Sequence, residues 1–233
     1  MISIIIPVYN GEKTLVGTVN SIEKQTYRDF EVVIVNDGSK DNTRSVFEKF
    51  AETFKLENDY YFINQENKGA PAARNRGLKE ARGKYLFFCD ADAILKSDAL
   101  EKMLTKLEEN PSAAYAYSSF YWGKKLFKLW PFDTEKLKKM PYIHTMSLIR
   151  RESFPEKAWD ESIKKLQDWD LWLTMLECGH QGIFIEEVLF KVKPVGTISS
   201  WIPAFAYKAF PFLPSVKKYK QAVKIIKTKH NLS

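Results

Sequence analysis

The sequence predicts an α/β fold: a mostly parallel central sheet flanked by helices. Three observations carry that expectation. Short apolar runs alternate with helical patterns through the first half. Turn residues such as Asn36-Asp37-Gly38-Ser39 punctuate them. The most apolar run, Tyr85-Leu86-Phe87-Phe88, ends abruptly in Cys89-Asp90-Ala91-Asp92. Two carboxylates at a strand tip add nothing to a core, and like charges so close raise each other's pKa unless a cation or donors neutralise them. Open α/β sheets bind ligands at the carboxyl ends of their strands. The pair therefore points to a hard divalent cation that also holds phosphate oxygens.

The elements follow in order. Ser3–Val8 reads as the first strand, and a helix near Lys13–Lys24 carries Leu15, Val19 and Ile22 on one face. Glu31–Val35 is the second strand. Asp41 is placed to cap a helix bearing Val46, Phe47, Phe50 and Phe54. Tyr60–Ile63 is a short third strand, and Pro71 suits the start of a helix reaching Ala81. After the Tyr85–Phe88 strand, Ser97 is expected to cap a helix with Leu100, Met103, Leu104 and Leu107 as its buried stripe. Ala113–Ser118 and His144–Ile149 read as strands, separated by an aromatic, basic stretch over 120–132. Gln167 opens a helix to about Glu177, and Ile183–Val192 reads as the last strand.

Hydrophobic residues make up 45% of the 233 and aromatic ones 14%, ample for a core and against global disorder. Cys89 and Cys178 lie far apart in apolar surroundings, which predicts buried free thiols and a reducing, cytoplasmic setting. The N-terminus lacks the features of a signal peptide, and no apolar run is long enough to span a bilayer. The net charge of +7 is concentrated in the tail, because Val188 to Ser233 holds nine lysines and no acid while the rest is nearly neutral. That argues against a general nucleic-acid surface and for a local anionic partner.

In a parallel sheet Asp37 and the Asp90/Asp92 pair should meet along one edge, with Tyr9 offering an aromatic face there. Arg74, one turn into its helix, is suited to neutralise carboxylates or a diphosphate. Asp168 stands at a helix start. Taken singly, each has a plainer reading: Asp37 a turn, Tyr9 the core rim, Arg74 a solvated helix residue, Asp168 a charge favoured by the helix dipole. Their joint order and strand-end placement favour a site. No Gly-x-Gly-x-x-Gly follows the first strand, which disfavours a dinucleotide-dependent oxidoreductase.

Several ordered segments carry a family resemblance: residues 3–11 (SIIIPVYNG), 21–27 (SIEKQTY), 30–39 (FEVVIVNDGS), Asn67-Lys68-Gly69, 73–77 (ARNRG), Gly83-Lys84-Tyr85, Asp90-Ala91-Asp92 and Asp168-Trp169-Asp170. The chain resembles a family 2 glycosyltransferase of the GT-A fold. The resemblance implies a GT-A domain over 1–195, followed over 196–233 by a basic, aromatic, amphipathic extension. It implies transfer of a sugar from a nucleotide diphosphate, most often UDP, with inversion at the anomeric carbon. By the same resemblance Pro7, Val8, Tyr9, Asp37 and Arg74 hold the donor's base side. Asp90 and Ala91 lie by the ribose, Asp92 ligates Mn²⁺ or Mg²⁺, and Asp168 is the general base. The acceptor would be a glycan or lipid-linked saccharide of the cell envelope. Alternatives are a polyprenyl-phosphate sugar synthase and a catalytically silent nucleotide- or sugar-binding protein. Gln167 departs from the family's acidic residue before the base, and Asn36 from the first acid of its Asp-Asp-Gly-Ser. His144 is read as structural, with metal or acceptor binding as the alternative. The aromatic, lysine-rich stretch 201–233 suggests peripheral contact with an anionic membrane at its inner face; the alternative is a helix packed on the body.

Overall fold

In a computed structural model, the structure describes residues 1–54, 56, 59–193 and 213–232. β1 (Ile2–Val8), β2 (Phe30–Asp37), β3 (Asp59–Gln65) and β4 (Tyr85–Phe88) form a parallel half-sheet in the order β3-β2-β1-β4. The crossovers are α1 (Leu15–Glu23), α2 (Thr43–Phe54) and α3 (Ala70–Glu80). β1 and β2 are covered on both faces, and Ile2, Ile4, Ile5, Ile6 and Val32–Val35 are buried. An uninterrupted apolar run is what such a strand requires. On α3, Gly77 lets the helix lie close: an added Cβ would press into the Ile5 Cγ2 methyl, with Val35 Cγ2 at 3.3 Å.

The second half is mixed. β8 (Leu148–Arg150) joins β4 antiparallel, and the sheet continues through β6 (Tyr115–Trp122), β9 (Gly182–Val192) and β5 (Ala93–Leu95). β6 runs parallel to β9 but antiparallel to β8 and to its hairpin partner β7 (Lys125–Phe127). A bulge shifts the β6–β9 register around Ser119 and leaves Glu186 and Glu187 exposed. The sheet expected to be mostly parallel is wholly parallel in its first half and mixed in its second, where the β6–β9 pair is parallel and the other joins are antiparallel. α4 (Ala99–Glu108), α5 (Thr134–Lys139), α6 (Gln167–Glu177) and α7 (Pro214–Lys229) complete the described helices, with a 3-10 turn at Arg151–Ser153.

Local departures from the expected elements have local causes. Asp41 does accept the Thr43 N–H at the head of α2, at 3.1 Å, and its other oxygen accepts the Glu12 N–H at 3.0 Å, lacing the loop after β1 to that after β2. Ser97 does not cap α4. The cap position is Asp98, without a side-chain bond, and Gln25 accepts the Leu100 N–H at 3.0 Å instead. The Gln25 amide also donates to Ser21 O and Lys96 O. The strand expected from His144 begins only at Leu148, because the Ser147 N–H closes a turn onto Thr145 O and the His144 ring accepts the Met146 N–H. Cys89 is buried as expected, but Cys178 is exposed because it ends α6 rather than lying within it.

α7 packs on the body. Val216 and Ile226 are fully buried and Val223 is half-buried, while Lys217, Lys218, Lys220 and Lys224 face solvent. For this helix the packed arrangement is the observed one. The aromatic residues Trp201, Phe205, Phe210 and Phe212 lie outside the described residues. No helix among the described residues is long and apolar enough to cross a membrane.

Candidate active site

The C-terminal ends of β1, β2 and β4 form one edge, with β1 in the middle. At the tip of β1, Val8 is buried in the core and can offer a ligand only its backbone, while Pro7 and Tyr9 are half-buried. Asn10 follows in a left-handed conformation (φ 53°) that an asparagine tolerates. Its side chain accepts the Lys40 N–H and its own N–H donates to Ser39 Oγ, both at 2.8 Å. Asn36 accepts the Ser39 N–H, so this residue shapes the second loop without needing a charge.

Asp37, at the end of β2, is buried. One carboxylate oxygen accepts from Gln65 Nε2 and the Lys68 N–H, the other from the Gly69 N–H at 2.8 Å. Asp37 therefore tethers the loop that starts α3. Gly69, at φ 93°, supplies a turn that a side chain would disfavour. α3 then projects Arg74 inward, where it is almost fully buried.

Arg74 is the hub of the site. Its Nη1 donates to Gln167 Oε1 at 2.7 Å, its Nη2 lies 3.5 Å from Asp90 Oδ1, and its guanidinium sits 4.6 Å over the Trp159 ring. Its Nε is buried without a partner among the described residues. Burial pulls the guanidinium's pKa down, and the charges of Asp90 and Asp168 oppose that pull. Asp90 also faces His144 Nε2 at 3.7 Å. His144 is packed against the rings of Phe120 and Phe190, and burial holds its pKa below the usual value. Because its Nδ1 accepts the Met146 N–H at 3.1 Å, the neutral ring carries its proton on Nε2. In that tautomer it offers Asp90 a donor and offers a metal no lone pair.

Asp168 opens α6 beside this group, half-buried, with its Oδ1 accepting the Trp169 N–H at 2.9 Å. Burial raises its pKa, against the lowering influence of His144, the Trp169 N–H and Arg74. A carboxylate with a raised pKa is a stronger base. Two indoles fix the helix that carries it: Trp169 Nε1 donates to Leu137 O at 2.6 Å and Trp172 Nε1 to Ile143 O at 3.0 Å. The second bond also pins the backbone next to His144.

Asp92 is half-buried, and burial together with Asp90 pushes its pKa up to about 7, against the pull of its own backbone N–H and of Lys193. Among the described residues no group of three or more His, Cys, Asp or Glu is arranged to hold a metal. Two hard carboxylates with a mutual repulsion to relieve nevertheless fit Mn²⁺ or Mg²⁺, which commonly take one or two protein carboxylates and fill the rest of their shell with phosphate and water.

Arg74, Asp90, His144, Gln167 and Asp168 are thus gathered in one cluster, with Asp92 and Ala91 continuing from Asp90. Asp37 and Tyr9 lie along the same edge without touching it. The sequence reads His144 as structural, with metal or acceptor binding as the alternative, and gives neither it nor Gln167 a partner; here His144 faces Asp90 and Gln167 accepts from Arg74. Trp159 carried no signal at all, since nothing in its spacing ties it to Arg74.

This fold is that of the GT-A glycosyltransferases. Residues 1–349 of S. aureus TarS in complex with UDP-GlcNAc superpose with a TM-score of 0.72 at 18% identity, over 98% of this chain and 72% of that one. The mannosyltransferase PcManGT of Pyrobaculum calidifontis, in complex with GDP-Man and Mn²⁺, does so with 0.67 at 22% identity, over 84% and 58%. Residues 3–189 match Glycosyl transferase family 2, and the chain belongs to that family. The glycosyltransferase GlyA of Streptococcus pneumoniae serotype 4 is 38% identical over 204 residues, 84% of this chain. The chain spans only 26% of GlyA's length.

Proposed function

We propose that the chain is an inverting, metal-dependent glycosyltransferase. It moves a sugar from a nucleotide diphosphate, UDP in the first instance, to a hydroxyl of a glycan or lipid-linked acceptor of the cell envelope. The carrying observation is the pairing of a half-buried, raised-pKa Asp168 with the Arg74–Asp90 cluster at the head of Asp92. In this reading Asp168 takes the acceptor's hydroxyl proton as the new C–O bond forms and the anomeric C–O bond to the diphosphate breaks on the opposite face. The nucleoside diphosphate leaves with the bonding electrons, and the stereocentre inverts. Arg74 contributes positive charge beside the leaving group. Asp92, with Asp90 beside it, would hold the cation, whose role when bound is to neutralise the diphosphate. Pro7, the Val8 backbone, Tyr9 and Asp37 would border the base, and Ala91 the ribose. Residues 1–195 form the transferase domain in this reading. A polyprenyl-phosphate sugar synthase needs less base assistance, because its acceptor is already a phosphate anion, and the developed Asp168 environment favours the hydroxyl acceptor.

Thermal melting with UDP and Mn²⁺ tests the donor site. Ligand at about 100-fold above Kd should stabilise the protein by about 2.7 kcal/mol, and Asp92→Ala should lose the metal-dependent part. An equal shift in the variant removes Asp92 from the metal site.

A cytoplasmic position, peripheral at the inner face of the membrane, goes with this reading. It is supported by the outward face of α7, which carries Lys217, Lys218, Lys220 and Lys224, and by the absence of acid from that helix. Each lysine near an anionic surface is worth about 1 kcal/mol. The protein should sediment with phosphatidylserine-containing vesicles and not with neutral ones, and exchanging Lys217, Lys218 and Lys224 for glutamine should release it. Unchanged sedimentation of that variant refutes the membrane contact.

A further inference from the structure

The last turn of α7 grips the elements that build the site. His230 is 2% exposed at its side chain, and both ring nitrogens meet carboxylates: Nε2 with Asp170 Oδ1 at 2.9 Å and Nδ1 with Glu177 Oε1 at 2.8 Å. An imidazole donates from both nitrogens only as the cation. Lys229 lies 2.8 Å from Asp170 Oδ1 and 2.7 Å from Asp160 Oδ2. Asp170 and Glu177 belong to α6, which carries Gln167 and Asp168 in its first turn. Asp160 belongs to the loop whose Trp159 lies under Arg74. Asn75, next to Arg74, clamps that loop from the other side: its Nδ2 donates to Trp159 O and its Oδ1 accepts the Trp159 N–H, both at 2.9 Å. The C-terminal turn therefore ties together the two pieces that bear the base and the buried cation.

We propose that Lys229 and His230 are positioning residues for Asp168 and Arg74, and that His230 makes their hold on α6 depend on pH. The proposal rests on the reading of Asp168 as the base. The charged groups facing His230 among the described residues are Asp170 and Glu177 from α6, with Lys229 beside it on α7 and Asp160 beyond Lys229. Burial works against the imidazolium, but the hydrogen bonds and charges of Asp170 and Glu177 outweigh it and raise the His230 pKa above its ordinary 6.5. A raised folded pKa means that the clasp is complete below the ordinary value and weakens as pH rises through the folded one. Lys229, whose own pKa is raised above 10.5 despite burial, holds at every pH in the working range.

The test compares the full chain with His230→Gln and Lys229→Met at about pH 6 and about pH 9. It reads turnover at saturating donor and amide hydrogen exchange in the first turn of α6, corrected for intrinsic rates. Wild type should lose turnover by about fivefold between the two, with exchange at Trp169 and Asp170 rising in step. His230→Gln should show the low turnover and fast exchange at both pH values. Lys229→Met should be weakened at both yet keep the pH dependence. Wild-type turnover and exchange in His230→Gln at the lower pH overturns the proposal. So does faster exchange without lost turnover, which leaves the clasp holding the helix but not serving the reaction. Asp168→Asn separates the two readings: if it stays active, the assignment of the base falls, while its pH-dependent exchange still reports the clasp.

Discussion

Exchanging Asp168 for asparagine is expected to cut sugar transfer by about 10²- to 10⁴-fold while donor binding survives. Asparagine is isosteric and its side-chain oxygen can keep the bond from the Trp169 N–H. It cannot take a proton from a hydroxyl. The loss should therefore fall on kcat, as for a group that acts in the transition state. Donor affinity should not weaken, because removing this carboxylate leaves more of Arg74's charge for the diphosphate. The measurement is steady-state transfer alongside thermal stabilisation by the nucleotide. Unchanged turnover with intact stabilisation would take Asp168 out of the mechanism and bring the polyprenyl-phosphate alternative forward.

Arg74→Met should have the largest effect on stability. The methionine fills much of the stem's volume over Trp159 but leaves Asp90 and Asp168 without their shared cation, and Gln167 Oε1 without its donor. Removing one partner of a buried charged group typically costs about 3–5 kcal/mol. Part of the loss is the penalty on the carboxylates left behind, so the variant should also bind nucleotide diphosphate more weakly. Denaturant unfolding measures the first effect. A shift within about 0.5 kcal/mol, the range of an ordinary surface change, would show that the guanidinium is not the hub of the cluster.

The parallel half was legible because its signals are local. β1 and β2 are apolar runs of seven and eight residues and β4 a short but wholly apolar one, each closed by turn or acidic residues, and α1 and α4 show their stripes at helical spacing. β5, β7 and α5 span three, three and six residues, too few for any period to emerge. The antiparallel joins of β8 depend on pairing with strands far away in sequence. The same distinction divides the site. Asp37, Asp90, Asp92 and Asp168 stand at element ends, where position alone suggests a role. Arg74 on its own reads as a solvated helix residue, and the partners that meet it in the interior lie far off in sequence, Gln167 being 93 residues away and Trp159 covering the guanidinium. His144 was legible as a residue near the site, but its tautomer follows from a turn that replaced the expected strand. The tail helix was visible as an amphipathic pattern, yet nothing in it shows that its end meets Asp170 and Glu177.

Gln25 links the two halves in a different sense, that of folding order. α4 has no side-chain cap of its own, and its Leu100 N–H is met by a residue 75 positions earlier, just past the end of α1. The same amide closes onto Ser21 O beside it and Lys96 O just ahead of α4. The Leu100 N–H has no partner within its own helix, so Gln25 just past α1 seals a turn whose backbone bonds, such as Lys102 N–H to Asp98 O at 3.0 Å, are local. The docking of α1 and the ordering of the start of α4 should therefore reinforce each other as the chain folds.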